Sequence, residues 1–306
     1  MGHLFGPVPS RRLGLSLGVD IVPLKKCTLS CVYCQVGKTP ETTVIRREYI
    51  SPQDILKEFR EKFDNGLVAD WITFSGSGEP TLNSGIGEII RGIKKLTDIP
   101  VCVITNSTLL SDPQVRRDIL DAEAVMPSLD SAIEATFRAL CRPHPDITAE
   151  KVIDGLVRFR KEYKGKIRLE IMFVEGVNDS PAELEALREA AEKIVPDALQ
   201  LNTVVRPPAE LSAKPLTRER LEEIRDFFGE KAEIIASFKG GTKARSSAGI
   251  DGVRDYLMRR PGRTEDISAA LGMTVDEVKV HLEHLQNSGN VKLIEYFGKQ
   301  FWEYIT

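Results

Sequence analysis

Apolar residues along the chain fall into short runs separated by longer stretches of mixed polarity, the alternation of buried strands with amphipathic helices that specifies a mainly parallel sheet. The runs at 15–22, 71–75, 101–105, 124–129, 167–174 and 198–202 read as strands. The stretches between them open on recognisable caps. Ser51-Pro52 offers a hydroxyl acceptor followed by proline at the first helical position, and Ser180-Pro181-Ala182-Glu183 adds a capping-box glutamate. Six βα repeats result, too few for the closed eightfold barrel. The predicted fold is therefore α/β, an open (β/α)6 partial barrel whose strand exits share one rim, where such folds carry their chemistry.

The periodicity stops at 239–248, a stretch of glycine, serine and basic residues that reads as a linker between a domain at 1–240 and a smaller one at 249–306. The second domain reads as a helix at 252–259, a Pro261-Gly262 turn, a helix at 264–271, and a third helix opened by Thr274-Val275-Asp276-Glu277. Val278, Leu282 and Leu285 share one face of that third helix. Strand-like runs at 291–296 and 301–305 flank Gly298-Lys299 as a hairpin. Helix, helix, helix, hairpin is the order of a winged helix-turn-helix.

Composition narrows the function classes. The 306 residues are 42% hydrophobic, enough for a sizeable core, and the net charge of −3 excludes a chain that binds polyanions through bulk charge. No run approaches the ~18 apolar residues of a membrane span, and Pro7, Pro9, Arg11 and Arg12 interrupt any leader, so a cytoplasmic protein with no membrane partner is expected. Locally, residues 1–50 hold seven basic side chains (Arg11, Arg12, Lys25, Lys26, Lys38, Arg46 and Arg47) against three acidic ones, a rim suited to a phosphate-bearing substrate or an RNA backbone. Arg206, beyond the last strand, is a candidate for orienting substrate, together with Arg11 and Arg12. Residues 249–306 hold seven basic against nine acidic side chains, the wrong sign for DNA contact, so protein contact, substrate presentation or a lid is the expected role of the tail.

Three of the five cysteines, Cys27, Cys31 and Cys34, crowd into eight positions after the first strand. That layout is poor for disulfides and good for metal. Three thiolates on one loop can hold three corners of a 4Fe-4S cube and leave the fourth iron open to another ligand. Zinc, with His3 or His144 as fourth ligand, is the alternative use.

The spacing Cys27-x3-Cys31-x2-Cys34, with Tyr33 before the last cysteine, resembles the signature of the radical S-adenosylmethionine (SAM) superfamily. One βα unit later, Phe74-Ser75-Gly76-Ser77-Gly78-Glu79-Pro80-Thr81 resembles that family's Gly-Gly-Glu segment, with serine in place of the first glycine. The resemblance implies a radical SAM partial barrel, Cys27, Cys31 and Cys34 as catalytic cluster ligands, and SAM as second cofactor, reductively cleaved to a 5′-deoxyadenosyl radical. It implies Tyr33 as an adenine contact and Gly78 with Glu79 as the methionine site; Thr105, Asn106 and Asp130, at the ends of later strands, are further cofactor candidates. An external reductant of ferredoxin or flavodoxin type is implied as partner. Within the superfamily, Phe5 to Gly14, Leu129 to Pro143 and Leu201 to Pro208 are similar to one archaeal and bacterial group related to the tRNA wyosine-base (4-demethylwyosine) synthases, over residues 4–240. Those synthases need a second cluster from cysteines upstream of the SAM motif, and no cysteine precedes Cys27, so their reaction does not carry over. Three readings follow: a radical SAM enzyme acting on RNA or another phosphate-bearing molecule, one acting on a protein or peptide held by the winged helix, and a cluster-bearing sensor that is not an enzyme.

Overall fold

A computed structural model describes residues 2–10, 12–235 and 249–305. The expected linker at 239–248 and the candidate Arg11 lie outside the described residues. Eight strands form one sheet in chain order: β1 (Leu4–Ser10), β2 (Gly14–Val19), β3 (Trp71–Phe74), β4 (Val101–Thr105), β5 (Ala124–Pro127), β6 (Lys166–Phe173), β7 (Ala198–Thr203) and β8 (Ala232–Ile234). β1 runs antiparallel to β2, and every later neighbour is parallel. Helices α1 (Pro52–Asp64), α2 (Ile86–Lys94), α3 (Pro113–Asp118), α4 (Glu134–Cys141), α5 (Ala149–Glu162), α6 (Pro181–Ile194) and α7 (Arg218–Phe228) fill the crossovers.

The six expected strands are all present, with ends shifted by up to three residues; β1 and β8 are additional. β1 escapes the hydrophobic pattern because Pro7 and Pro9 remove two ladder donors, a loss tolerated on the edge it occupies. β8 is three residues long and too short to show a period.

Side chains alternate between two cores. Val101 and Val103 face the helices in the main core, while Cys102 packs with Leu13, Ala124 and Met126, and Trp71 and Ile104 flank them, plugging the floor beneath the strand exits. The caps act largely as read. Ser51 accepts from the Gln53 N–H ahead of α1, and Ser180 accepts from the Glu183 N–H ahead of α6. Glu183 does not complete the box: its carboxylate is buried and accepts from Ser131 Oγ at 2.8 Å.

The C-terminal body comprises α8 (Gly249–Arg259), α9 (Thr264–Leu271), α10 (Val275–Asn287) and an antiparallel hairpin of β9 (Val291–Tyr296) and β10 (Lys299–Tyr304). Val278, Leu282 and Leu285 are buried together with Val253, Leu257 and Ile267. Thr274 and Glu277 form a complete capping box. The hairpin turn is Phe297-Gly298 rather than Gly298-Lys299: Lys299 pairs with Tyr296, and both turn residues take positive φ, as a two-residue turn matched to strand twist requires.

This body spans two parts of the barrel. α9 lies against β1, and Val8 joins its core. Arg259 donates to the Gly2 carbonyl at 3.0 Å and lies over the Phe5 ring. At the opposite edge of the sheet, beyond β7, the Tyr296 hydroxyl donates to the Ala213 carbonyl at 2.8 Å. Among the described residues, no helix is long and apolar enough to cross a membrane.

Candidate active site

The loop leaving β2 carries Cys27, Cys31 and Cys34, and its backbone is pinned on two sides. Ser30 N–H donates to the Cys141 carbonyl, Val32 N–H to the Leu140 carbonyl and His144 N–H to the Thr28 carbonyl, which fastens the loop to the end of α4 and the residues that follow it. Lys25 N–H donates to Ser77 and Glu79 N–H to Lys26, which fastens it to the loop after β3. Asp20 completes that junction by accepting from the Ser77 amide and hydroxyl. The two segments singled out in the sequence are thus hydrogen-bonded to each other at the strand exits.

Gly78 sits where these loops meet. A Cβ there would lie 1.9 Å from the Lys26 carbonyl oxygen, so the glycine serves a close approach of two backbones as well as any approach of a ligand. Gly78→Ala is expected to push the cysteine loop away and cost about 1–3 kcal/mol, the usual range for overpacking; the shift in urea midpoint at unchanged m-value measures it.

All three cysteines line one cavity of about 1300 Å³, together with Tyr33, Gly78, Glu79, Thr105, Asn106, Arg12 and Arg206. None is in a disulfide. Burial pushes the Cys27 thiol up to about 12, with Glu79 and the neighbouring thiols adding to the rise. Cys34 is also raised by burial, while the Lys25 ammonium, 3.4 Å from its sulfur, pulls it back. Forming thiolates here therefore depends on the cation that binds them. Among the described residues no three His, Cys, Asp or Glu side chains converge on a point that would hold one ion, and neither His3 nor His144 completes such a group. The donor set suits a multi-iron cluster, which takes one thiolate per iron, better than a single tetrahedral zinc.

Glu79 is 2% exposed, and its carboxylate is already well used. Oε1 accepts from the Thr81 amide (3.1 Å), the Thr81 hydroxyl (2.6 Å) and the Thr105 hydroxyl (2.7 Å), and Oε2 accepts from the Asn106 amide (2.7 Å). Oε2 keeps room for a further donor. Burial raises the Glu79 pKa in spite of these bonds. Thr105 and Asn106 thus make their first contacts with Glu79. The Asn106 side-chain Nδ2 donates to Thr28 Oγ1 at 2.8 Å and lies 3.5 Å from Cys27 Sγ, tying the end of β4 to the cysteine loop.

Asp130, a cofactor candidate from the sequence, is engaged by other residues of the chain. It accepts from the Tyr33 hydroxyl, from the Met172 amide at 2.9 Å and from Cys141 Sγ at 3.5 Å, and it is not among the cavity-lining residues. It holds Tyr33 in place. Burial, the dominant cause, lifts its pKa to about 6, with Glu170 adding to the rise. A carboxyl raised in the folded state binds more protons there than in the unfolded chain, so its contribution falls as pH rises from the unfolded value toward 6. Between pH 4 and 6 the wild type is expected to lose about 2 kcal/mol through this group, a slope that Asp130→Asn lacks; urea titrations across that range test it.

Three of the six described cations of the basic N-terminal rim are paired with carboxylates. Arg12 pairs with Glu170, which also accepts from Asn202, while Arg46 pairs with Asp118 and Lys38 with Glu210. Arg12 lines the cavity but arrives with its partner. Arg206, by contrast, is 8% exposed and has no carboxylate within ion-pair distance among the described residues. Glu170, Asn202, Gln35, Tyr256 and Arg260 also line the cavity and were not singled out as site residues from sequence.

Comparison with known proteins places this geometry. A family model described as the radical SAM superfamily matches residues 21–190. A UPF0026 protein of Methanocaldococcus jannaschii is 34% identical over 305 residues, covering 97% of this chain and 94% of that protein. A Brachyspira hyodysenteriae protein named GTPase Obg is 36% identical over 297 residues; the match covers 95% of this chain but 43% of that protein, so the chain spans less than half of that relative's length. A radical SAM methyltransferase from Sphaerobacter thermophilus has the same fold, with a TM-score of 0.54 over 73% of this chain and 67% of its own at 17% identity.

Proposed function

Since the chain belongs to the radical SAM superfamily, with a 4Fe-4S cluster and SAM as its cofactors, we propose that Cys27, Cys31 and Cys34 hold that cluster and that the protein is an enzyme acting on a substrate drawn into the adjoining cavity. When bound, cluster and SAM together supply reductive cleavage of the sulfonium and a 5′-deoxyadenosyl radical that abstracts hydrogen. The observation that carries the reading is the junction of the cysteine loop with the loop bearing Gly78 and Glu79, made by backbone hydrogen bonds at the strand exits.

In this reading the chain's own side chains hold and orient. The Lys25 ammonium stands by Cys34, where it favours the thiolate. The free side of Glu79 Oε2 accepts from the SAM ammonium, while Thr81, Thr105 and Asn106 fix the carboxylate. Tyr33, anchored by Asp130, presents its ring to the adenine. The C-terminal body is a winged helix-turn-helix that walls the cavity with Gly252, Tyr256, Ala270 and Leu271 and excludes water from a reactive intermediate.

The electron donor in this proposal is a ferredoxin or flavodoxin-type protein, and the setting is the cytoplasm. The substrate carries phosphate or a comparable anionic group, in keeping with kinship to the wyosine-base synthases. Three of the six described rim cations are paired with carboxylates, which leaves Lys25, Lys26 and Arg47 for an RNA backbone or another phosphate. Anaerobic reconstitution with iron and sulfide, followed by SAM and dithionite, is expected to yield 5′-deoxyadenosine on chromatography. A stable cluster with no cleavage, with or without cell extract, would instead favour the sensor reading.

A further inference from the structure

Arg206 is a buried cation with no ion pair among the described residues. Its Nη1 donates to Gln35 Oε1 at 3.2 Å, next to Cys34 in sequence, and its Nε has no hydrogen-bond partner among the described residues. Burying a charge unpaired costs several kcal/mol, so an arrangement of this kind calls for a compensating anion. What stands near it makes matters worse. Arg260, at the end of α8, lies over the Tyr256 ring at 4.8 Å and has no ion pair among the described residues; its charge, after burial, lowers the Arg206 pKa. Arg259 also has an unpartnered Nε, its other nitrogens being donated to the Gly2 and Asp255 carbonyls.

Asp266 acts on Arg206 but is already bound bidentately by Arg263, and Asp20 acts on Arg259. Asp255 is the carboxylate that α8 contributes to the cavity wall, which also carries Arg206, Arg259 and Arg260. The same cavity is lined by the cysteines and Glu79, and about 1300 Å³ exceeds what one drug-sized ligand usually fills. The cavity has room for a cofactor and a second small molecule.

We propose that Arg206, steadied by Gln35, and Arg260, stacked on Tyr256, form a subsite for the phosphate or carboxylate of a small anionic substrate whose remaining atoms extend toward the cysteine loop. This rests on the reading of the chain as a radical SAM enzyme. Two guanidinium forks brought together from the β7 exit and α8 suit bidentate recognition of such a group. The site exists only when the C-terminal body is seated on the barrel, which makes that body part of substrate recognition.

Thermal shift titrations of the anaerobically reconstituted full chain test the subsite, with inorganic phosphate and malonate as probes at ionic strength held constant with chloride. A saturable rise with phosphate alone assigns a phosphorylated substrate, one with malonate alone a carboxylic acid, and either supports the subsite. Arg260→Gln, on a half-exposed position, is expected to weaken the effective probe about tenfold or more. Arg206→Gln should weaken it at least as much; if that variant fails to fold, Arg260→Gln decides. No saturable shift with either probe, an unchanged affinity in Arg260→Gln, or displacement of the probe by SAM would overturn the proposal. SAM cleavage by the same wild-type sample separates the two ideas: cleavage without anion binding removes the subsite alone, and anion binding without cleavage removes the enzymatic reading.

Discussion

A Cys31→Ala chain is expected to fold and to lose its chemistry. Backbone hydrogen bonds from Ser30, Val32 and Cys34 fix the loop on either side of this position and do not use the Cys31 thiol. Cys31 is half-buried, so losing its sulfur costs about 1 kcal/mol or less. Outer-shell partners of metal ligands already cost 10–100-fold when removed, so loss of a ligand itself should lower SAM cleavage by at least about a hundredfold. Bound iron and sulfide, the visible absorption of the cluster and 5′-deoxyadenosine report the loss, and a urea midpoint close to wild type reports the intact fold. Global unfolding of the variant would identify a structural metal and refute the catalytic assignment.

Glu79→Ala is expected to fail for a different reason. It strands the buried amides of Thr81 and Asn106 and the hydroxyls of Thr81 and Thr105, and it empties the space the side chain filled. Unsatisfied buried donors cost about 1–3 kcal/mol each, and the hydroxyls can rotate while the two backbone amides cannot, so a loss of about 2–6 kcal/mol is expected, enough to disturb the cysteine loop through Asn106 and Thr28. Glu79→Gln keeps the volume and one carbonyl oxygen but turns an amide group toward the Asn106 N–H; its stability should lie between the two. If both variants cleave SAM equally poorly while Gln remains stable, the carboxylate itself serves the cofactor. If cleavage tracks stability, Glu79 acts by organising the loops. Urea midpoints set beside 5′-deoxyadenosine yields decide between these roles.

The cysteine loop was legible in the sequence because its three cysteines are fixed by covalent spacing and its neighbours by the strand before it. The parallel strands were legible because both faces are buried, leaving continuous apolar runs such as Val101–Thr105. β1 was hidden by its own prolines. Thr105, Asn106 and Asp130 were rightly placed at strand exits, yet their partners, Glu79 and Tyr33, lie on other loops, and no local pattern encodes that pairing. The Arg12 to Glu170 ion pair, 158 positions apart, turned an apparent free cation into half of a neutral pair. Arg260 looked like one more charge on an acidic domain; only the seating of α8 against the barrel brings it to Arg206.

That seating also has a consequence in time. The hydrogen bond from Arg259 to Gly2 joins residues 257 positions apart, so the wall that α8 and α9 give the cavity is made long after β1 and the cysteine loop. At a synthesis rate of about 5–20 residues per second, roughly 10–40 s separate Cys34 from the first turn of α8. Throughout that interval the nascent barrel is open along the side that these helices later cover. The cysteine loop therefore meets its surroundings before its own enclosure exists, and a bulky iron–sulfur donor has an approach during translation that the finished fold withdraws.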